Sequence, residues 1–331
     1  MALAHRFLQA VTTVTDNFGR RLTAATDAVQ WTHDDLITGE RLQALAEVSV
    51  LTPSVLAFHS SLRAAGVKNV CLFRGSHCEL EPDPKGLEML RGRSSIFVYT
   101  HLVSSFLERV LPRLEHRFVL ITHNSDHGVD ERFRPALNDP RITHWFAQNV
   151  AMRHPKLTPL PIGVANAQWP HGDLGTLLSV AATAAGPRRD LVYANFDTRT
   201  NPSVRVPLLQ RLQDRSCIWS GPPRAYPEYL REMAGFRWVI SPPGNGIDCH
   251  RTWEACYLGV TPVVARTPHG GLLHDGLPIA QLETLGDLSL PALSNAEGAS
   301  TFGHANIARL RMSYWRDSLR RQVAASQSQA A

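Results

Sequence analysis

The sequence predicts an α/β protein of two doubly wound domains that face a cleft, with a C-terminal helix that crosses back. Three observations predict this fold class. Strand-like apolar runs alternate with helix-like periodic segments, which is typical of a parallel sheet with helices on both faces. The chain has 331 residues, more than one ordinary domain uses. The segment 177–190 is rich in small residues and carries Gly-Pro, as domain connectors do.

The first α/β series is assigned to residues 1–180. Its first sixty residues are predicted to be helical, because Leu42, Leu45, Val48 and Leu51 recur at every third position. Strands are then predicted in five apolar runs, at 69–75, 94–102, 117–126, 143–149 and 157–164. Because ligands bind beyond the carboxyl ends of parallel strands, we expect the segment THNSDHG, 122–128, to lie at the rim of a cleft.

The second α/β series is assigned to residues 188–300. Strands are predicted in four apolar runs separated by helices, at 190–196, 217–221, 237–240 and 260–265. Residues 304–325 form the last periodic segment, a basic amphipathic helix with five arginines. We expect this helix to pack its apolar side across both domains and to keep its arginines in solvent. The alternative is a helix that lies on an anionic membrane.

Composition narrows the class of protein and its partners. With 44% hydrophobic and 19% charged residues, the chain reads as a soluble globular protein. The net charge of +5 suits ligands that carry phosphate, but it is too diffuse to predict nucleic-acid binding. Five cysteines without a CxxC pair argue against a disulfide framework or a zinc site, and favour a reducing compartment. No apolar run suits a signal sequence or a membrane span, so a cytoplasmic location is predicted.

The stretch SPPGNGIDCHRTWEACYLGVTPVV, residues 241–264, joins a predicted strand to a predicted helix through a glycine-rich loop. Asp248 is expected to cap the helix, which places the next residues in a first turn whose free backbone N–H groups can bind phosphate. The loop glycines let the backbone approach an anion, and a guanidinium group can fork onto a diphosphate. We therefore predict that the diphosphate is bound by Gly244, Asn245, Gly246, His250 and Arg251.

Glu254 lies on the same helix face as His250 and Arg251, one turn below the predicted phosphates. A carboxylate in this position is predicted to accept both hydroxyl groups of a ribose. The alternative is an ordinary helix start in which Glu254 is merely ion-paired with Arg251.

The segment THNSDHG supplies three candidate catalytic residues at the predicted rim, His123, Asp126 and His127. A transfer that inverts a sugar centre needs a general base for the acceptor hydroxyl, and Asp126 or His127 suits that role. The alternative is a turn in which the Asn and Asp side chains cap the following segment.

The segment NFDTRTNPSVR, 195–205, follows the first strand of the second series. Asn195, Thr198 and Asn201 are predicted to line the donor side of the cleft, and Arg205 to contact phosphate. The alternative is an ordinary turn followed by a solvated arginine. Further on, Trp219 or Tyr226 is a candidate for stacking on the donor's base, against the alternative of loop packing.

The stretch 241–264 resembles the nucleotide-sugar region of exostosin-like glycosyltransferases. The matching elements are the Ser-Pro-Pro-Gly loop, His250-Arg251-Thr252-Trp253-Glu254-Ala255, and the Gly-x-x-Pro-Val strand from Gly259. Companion motifs resemble the same group at 120–129, 145–149, 160–169 and 195–205. The resemblance covers about 115–290 and implies two Rossmann-like domains of the GT-B type. It also implies a donor held in the second domain by Arg251 and Glu254, and inversion of the sugar centre.

No Asp-x-Asp triplet, the usual metal-binding signature of single-domain glycosyltransferases, occurs in the sequence. Arginine, histidine and a helix start would neutralise the phosphates instead, so we predict no metal and no cofactor.

The predicted function is a glycosyltransferase, a hexosyl- or pentosyltransferase of polysaccharide biosynthesis. Its predicted partners are a nucleoside diphosphate sugar and a glycan or lipid-linked glycan acceptor, with no nucleic acid and with peripheral membrane contact left open. One alternative keeps the fold and changes the reaction to that of a nucleotide-sugar epimerase or hydrolase. The other is a non-catalytic protein that binds carbohydrate or nucleotide.

Overall fold

The structure, a computed structural model, describes residues 29–184, 186–213, 215–267, 270–296 and 307–328. The predicted domain ends at residues 1 and 300 and the predicted start of the last helix at 304 lie outside these ranges. Within them the chain forms two parallel sheets with helices packed against them, as the alternating pattern predicts.

The first sheet has six parallel strands, and a separate two-stranded hairpin follows its second strand. In chain order the strands of both are β1 (Val48–Leu51), β2 (Val70–Leu72), β3 (Arg74–Gly75), β4 (Leu80–Glu81), β5 (Ser95–Tyr99), β6 (Phe118–His123), β7 (Ile142–Ala147) and β8 (Leu157–Pro159). The sheet order is β2-β1-β5-β6-β7-β8, and β3 pairs with β4. The order reverses between β1 and β5, so this is the doubly wound topology of a Rossmann-like domain, with its crevice beside these two strands.

The prediction of helix across residues 42–51 is wrong for its last part. The helix there is short, Gly39–Gln43, and Val48–Leu51 is a strand between β2 and β5. All four of its residues are buried, so the strand shows no alternation of apolar and polar positions. Apolar residues recur at every third position from 42 to 51 although this segment contains the end of a helix, a turn and a strand. The β-branched run before Pro53 was the local signal of a strand.

The second sheet has five parallel strands. They are β9 (Arg189–Ala194), β10 (Ile218–Ser220), β11 (Phe236–Ile240), β12 (Thr261–Ala265) and β13 (Ala280–Leu282), in the order β10-β9-β11-β12-β13. The order reverses between β9 and β11, which places the crevice of this domain next to the residues that follow Ala194 and Ile240. The sequence analysis did not predict β13.

The helices mostly connect successive strands. They are α1 (Gly39–Gln43), α2 (Pro53–Phe58), α3 (Pro84–Leu90), α4 (a run of 3-10, α and π turns, 100–113), α5 (Arg134–Leu137), α6 (Leu174–Thr183), α7 (Pro202–Leu212), α8 (Tyr226–Ala234), α9 (His250–Tyr257), α10 (Gly270–His274), α11 (Leu290–Asn295) and α12 (Met312–Ser328). Short 3-10 turns lie at His33–Asp35, Glu131–Phe133, Thr198–Thr200, Leu285–Asp287 and Ala308–Leu310.

The last helix crosses back to the first domain. Met312, Trp315 and Leu319 of α12 belong to the core of the first sheet, whereas Ile307 and Leu310 just before it belong to the core of the second. Near the start of the described chain, Leu36 belongs to the second core and the next residue, Ile37, to the first. The chain therefore passes between the domains at both of these places.

Helix α6 packs on the second domain. Its Leu177 and Val180 are buried in the core of the second sheet, although this segment was assigned to the end of the first series and the connector. The predicted domain limits stay predictions, and α6 contributes to the second core although it lies before residue 188.

None of the helices in the described ranges has both the length and the apolar composition needed to cross a membrane.

Candidate functional site

A cavity of about 540 Å³ opens where loops at the carboxyl ends of first-sheet strands approach the second domain. Asn124, Ser125, Asp126 and His127, which follow β6, form one part of its wall. His250 enters the wall from the start of α9 in the second domain. Two Rossmann-like domains that face a cleft are the GT-B arrangement, so the predicted fold class is confirmed.

Asn149, which follows β7, joins the two predicted site loops. Its Oδ1 accepts from the backbone N–H groups of Ile247 and Asp248, both at 3.1 Å, and its Nδ2 donates to the carbonyl oxygen of Asp126 at 3.3 Å. A Cβ atom on Gly246 would lie 2.6 Å from the same Nδ2, so a larger residue there would push the Asn149 amide out of this position. The side chains of Asn245 and Asp126 are also 3.3 Å apart, between Nδ2 and Oδ2.

Asp126 and His127 lie on the exposed rim of the cleft, as the sequence predicts for the segment. His123 is different. Its Nδ1 accepts from the backbone N–H of Asn124 at 2.7 Å, which leaves Nε2–H to donate to the carbonyl of Pro161 at 3.0 Å. Burial lowers the pKa of His123 to about 4. With both nitrogens engaged and the ring neutral, His123 is not available as a base, and Asp126 and His127 remain the candidates.

Side-chain amides form the floor of the cavity. Asn124 donates from Nδ2 to Gln43 at 3.0 Å and from its backbone N–H to Gln148 at 3.0 Å, and its Oδ1 accepts from Asn166 at 3.1 Å. Asn124 has a φ of 58°, a backbone conformation that asparagine tolerates better than most residues. Such a connected network holds each amide in one orientation before any ligand binds.

Asp248 does not cap α9, so that prediction is wrong. The residue before the helix is Cys249, which makes no side-chain cap. The buried Asp248 carboxylate instead accepts from the backbone N–H groups of Ile162 and Cys249 and from the indole Nε1 of Trp253, each at 2.8 Å. Burial raises the pKa of Asp248 to about 6, against these hydrogen bonds. Asp248 therefore anchors the helix start to the segment between β8 and α6.

His250 presents one ring nitrogen to the cleft. Its Nδ1 is 2.8 Å from the carbonyl oxygen of Gly163 and must donate to it, so Nε2 carries the lone pair. Burial lowers the pKa of His250 to about 4, so the ring is neutral near pH 7. His250 can therefore accept a hydrogen bond from a hydroxyl group, whereas the sequence analysis expected it to donate one to phosphate.

Arg251 reaches across the crevice of the second sheet. Its guanidinium donates from one terminal nitrogen to the carbonyl oxygen of Asn195, directly after β9, at 3.1 Å. The Asn195 side chain donates to the carbonyl of Pro222 at 3.0 Å. The ring of Phe196 lies 5.9 Å from the Arg251 guanidinium. The Nε of Arg251 is buried and has no hydrogen-bond partner within the described residues.

Glu254 lies below Arg251 and is almost fully buried, with 3% of its surface exposed. The hydroxyl of Tyr229 donates to its carboxylate at 3.3 Å, and the ring of Tyr226 lies 6.4 Å from that of Tyr229. Burial raises the pKa of Glu254 to about 7. The Tyr226 hydroxyl is buried and lies close to the same carboxylate.

Asn201 and Arg205 support the proline-glycine loop from below. Asn201 donates to the carbonyl of Gly244 at 2.9 Å. Arg205 is buried, and its guanidinium donates to the carbonyls of Pro243 at 3.0 Å and Pro242 at 3.2 Å. Its other terminal nitrogen donates to the Asp197 carbonyl and the Thr200 hydroxyl. Every nitrogen of this guanidinium is thus engaged within the chain, so we assign Arg205 to the support of the loop.

Two other predicted residues lie near this support. Thr198 begins the 3-10 turn Thr198–Thr200, which the Asp197 side chain caps. Trp219 stacks on Tyr193 with ring centroids 5.4 Å apart, which is packing within the second core.

Several residues of the cleft were missed by the sequence analysis. Gln148 and Asn149 directly follow an apolar strand, and such a polar pair at a strand end was the available signal. Phe58 and Trp169 come from distant parts of the chain and face the cavity. Histidines 59, 77 and 101 line it as well. Nothing in the local pattern of these residues places them at one site.

The histidines do not form a metal site in the described part of the chain. No three or more His, Cys, Asp or Glu side chains are arranged there so as to hold an ion.

No family model matches the chain, and no curated protein matches its sequence. Among solved structures, the spinosyn rhamnosyltransferase SpnG is similar over 86% of this chain and 100% of its own, with 13% identity and a TM-score of 0.40. The glycotransferase of kitacinnamycin is similar over 87% and 93%, with 11% identity and a TM-score of 0.36. The UDP-GlcNAc 2-epimerase of Methanocaldococcus jannaschii is similar over 84% and 99%, also with 11% identity and a TM-score of 0.36. Likeness this distant does not bear on activity.

Proposed function

We propose that this protein is a glycosyltransferase that moves a sugar from a nucleoside diphosphate donor in the second domain to a glycan or glycolipid acceptor in the cleft. The observation that carries the proposal is unused hydrogen-bonding capacity beside the crevice of the second sheet. The Nε of Arg251 is buried without a hydrogen-bond partner in the described residues, and the buried carboxylate of Glu254 follows it on the same helix. Buried polar atoms are nearly always paired, so a ligand that supplies the partner is the simplest account.

The donor roles follow from the charge and position of each group. Arg251 and the backbone N–H groups at the start of α9 bind the diphosphate, since both favour negative charge. Glu254 accepts the ribose hydroxyls once the site over it is occupied. The resemblance of residues 241–264 to exostosin-like glycosyltransferases supports the same assignment. Because arginine and a helix start neutralise the phosphates, the proposed reaction uses no metal.

Asp126 is the proposed general base. It lies on the rim of the cleft within 3.3 Å of Asn245 in the glycine loop, so an acceptor hydroxyl beside it is near the proposed donor site. The acceptor oxygen bonds to the anomeric carbon as the bond from that carbon to the phosphate oxygen breaks. Asp126 takes the proton, and the diphosphate leaves with its charge on Arg251. Attack from the side opposite the phosphate inverts the centre.

The donor site is tested by thermal shift with a panel of nucleoside diphosphates and nucleotide sugars in EDTA. A ligand that binds only the folded protein stabilises it and so raises its melting temperature. At a ligand concentration of one hundred times the Kd, the free energy of unfolding rises by about 2.7 kcal/mol. We expect a rise with one nucleotide that is lost in R251A and kept in R237A, whose arginine lies on the surface of the same domain. No rise with any nucleotide at millimolar concentration would contradict the proposal.

The chemistry is tested with the nucleotide that binds, by following its sugar with and without glycan acceptors. We expect D126N to bind the nucleotide normally and to transfer roughly 100- to 10,000-fold more slowly, the usual contribution of a general base. Isomerised or hydrolysed donor without an acceptor would indicate an epimerase or hydrolase instead. Nucleotide binding without turnover, unchanged in D126N, would indicate a binding protein.

A further inference from the structure

We propose that the first-domain wall of the cleft binds an uncharged sugar ring, stacked on Trp169 beside Phe58. The role of this ring as the acceptor rests on the proposed function, whereas its binding does not.

An aromatic wall faces the cavity. Trp169 is 42% exposed and Phe58 is 56% exposed, and their ring centroids lie 5.5 Å apart. Large aromatic side chains contribute most when they are covered, so two such side chains left open in one cavity indicate that a ligand covers them. The face of a pyranose that carries C–H bonds is apolar, and burying it against an indole removes apolar surface from water on both sides.

The wall is held in place before any ligand arrives. Gln168, next to Trp169, hydrogen-bonds through its side-chain amide to His59, with 3.0 Å between Nε2 and Nδ1. The backbone N–H of Ala167 donates to the buried carboxylate of Glu40 at 3.2 Å. These contacts attach the segment before α6 to the first domain, so Trp169 does not have to be ordered when a ring binds.

Most of the other lining residues have polar side chains. Only Phe58, Ile162 and Trp169 among the described lining residues have a mainly apolar side chain. A flat aromatic aglycone would need a wall that is apolar on more sides. Amides and imidazoles that can each donate or accept suit the ring of hydroxyl groups that a sugar presents.

The described lining of the cavity offers no permanently positive side chain to an anionic sugar. None of its described lining residues is a lysine or an arginine, and its one carboxylate is Asp126. Burial lowers the pKa of His101, and that of His250, to about 4, so these rings do not supply a positive charge near pH 7. Bringing a carboxylate or phosphate into this space would bury a charge without a guanidinium or ammonium partner, which is costly. Uronic acids and sugar phosphates are therefore expected to be excluded.

The test is direct binding by saturation-transfer NMR, with methyl glucoside, galactoside and mannoside as neutral probes, methyl glucuronide as the anionic probe and phenol as the aromatic one. Each is measured with the full chain, with and without a saturating nucleoside diphosphate. We expect at least one neutral glycoside to bind, and to bind about tenfold more weakly or worse in W169A. W169F is expected to restore part of that loss. L72A is the control, because Leu72 is also 42% exposed but lies outside the cavity.

The inference would be overturned by binding of glucuronide or phenol in preference to every neutral glycoside, or by no loss of glycoside binding in W169A. Absence of a signal from all the neutral glycosides would overturn it as well. R251A separates this inference from the proposed function, since it should lose nucleotide binding and keep the glycoside signal, while W169A should do the reverse.

Discussion

Two buried carboxyl groups at α9 differ in what surrounds them. Asp248 accepts three hydrogen bonds within the chain, all at 2.8 Å, whereas Glu254 is approached by two tyrosine hydroxyls, that of Tyr229 at 3.3 Å and that of Tyr226. Burial raises both pKa values, to about 6 and about 7. The fully bonded Asp248 is part of the framework, and the less fully bonded Glu254 keeps capacity for a ligand.

Stability should depend on pH through Glu254. Its pKa is raised from 4.5 in a free side chain to about 7, so between these pH values the folded state binds more protons than the unfolded state. The free energy of unfolding therefore falls as pH rises through this window. E254Q has no such proton, so its stability relative to wild type should increase by up to about 3 kcal/mol from about pH 5 to pH 8.

Urea unfolding of both proteins at the two pH values measures this difference. Neutral buried histidines such as His123 give the opposite slope, since their lowered pKa values cost stability as pH falls, but they act equally in both proteins. An equal difference between E254Q and wild type at the two pH values would show that the Glu254 pKa is not raised.

At the scale of elements, the loop after β11 depends on another segment for its shape. The carbonyls of Pro242, Pro243 and Gly244 are held by Arg205 and Asn201 of the turn and helix after β9. Proline and glycine allow several turn conformations. The hydrogen bonds from Asn201 and Arg205 hold the loop in the one that is observed. The sequence analysis assigned these residues to the ligand because polar residues near a strand end fit either role.

Loss of Arg205 should therefore lower the stability of the folded protein as well as disrupt the loop. R205A leaves buried carbonyls unsatisfied, and we expect it to cost about 3–5 kcal/mol of stability. R205K keeps the charge without the planar fork and should recover only part of that loss. R199A is the matched control, because Arg199 is exposed and forms a surface ion pair with Asp197, so its loss should cost under about 1 kcal/mol. Urea unfolding that finds R205A as stable as R199A would contradict the loop-support role.

At the scale of the whole molecule, two chain crossings bind the domains together at Tyr257. Its hydroxyl accepts from the backbone N–H of Ile37 at 3.0 Å and donates to the carbonyl of Leu310 at 2.8 Å. Ile37 and Leu310 each lie where the chain passes from one core to the other. Beyond Leu310, α12 covers the first core with Trp315, whose indole donates to the Arg309 carbonyl at 3.0 Å.

Removing Trp315 should destabilise the first domain in particular. Trp315 is 2% exposed, and truncation of a buried tryptophan to alanine usually costs about 3–5 kcal/mol. We expect W315A to raise amide hydrogen exchange in β6 and β7 well before β11 and β12. R316A, at the exposed neighbouring position, should exchange like wild type. Equal loss of protection in both sheets would mean that α12 stabilises the two domains as one unit.

The elements that could be predicted are those whose structure depends on residues close to one another in the sequence. Strands such as Phe118–His123 and Phe236–Ile240 are uninterrupted apolar runs, and the helix His250–Tyr257 follows a clear strand and loop. The strand Val48–Leu51 was not predicted, because a short, fully buried strand shows no alternation of apolar and polar residues. The helical spacing of the preceding leucines also continues into it. The prediction that Asp248 caps α9 was wrong because its carboxylate accepts from the indole of Trp253 and from the backbone N–H of Ile162 instead.

The sequence by itself determined the class of the fold, most of its strands and the loops that carry the candidate site, because these depend on local periodicity and on glycine and proline. Only the tertiary structure decided which loops meet. Asn149 bonds to residues 98 and 99 positions further on, and Phe58 meets Trp169 although strands β2 to β8 lie between them in the chain. Contacts of this kind depend on how strands order themselves in a sheet and how two sheets dock. Both are collective results of burying the apolar surface of the whole chain, and no short segment of it carries them.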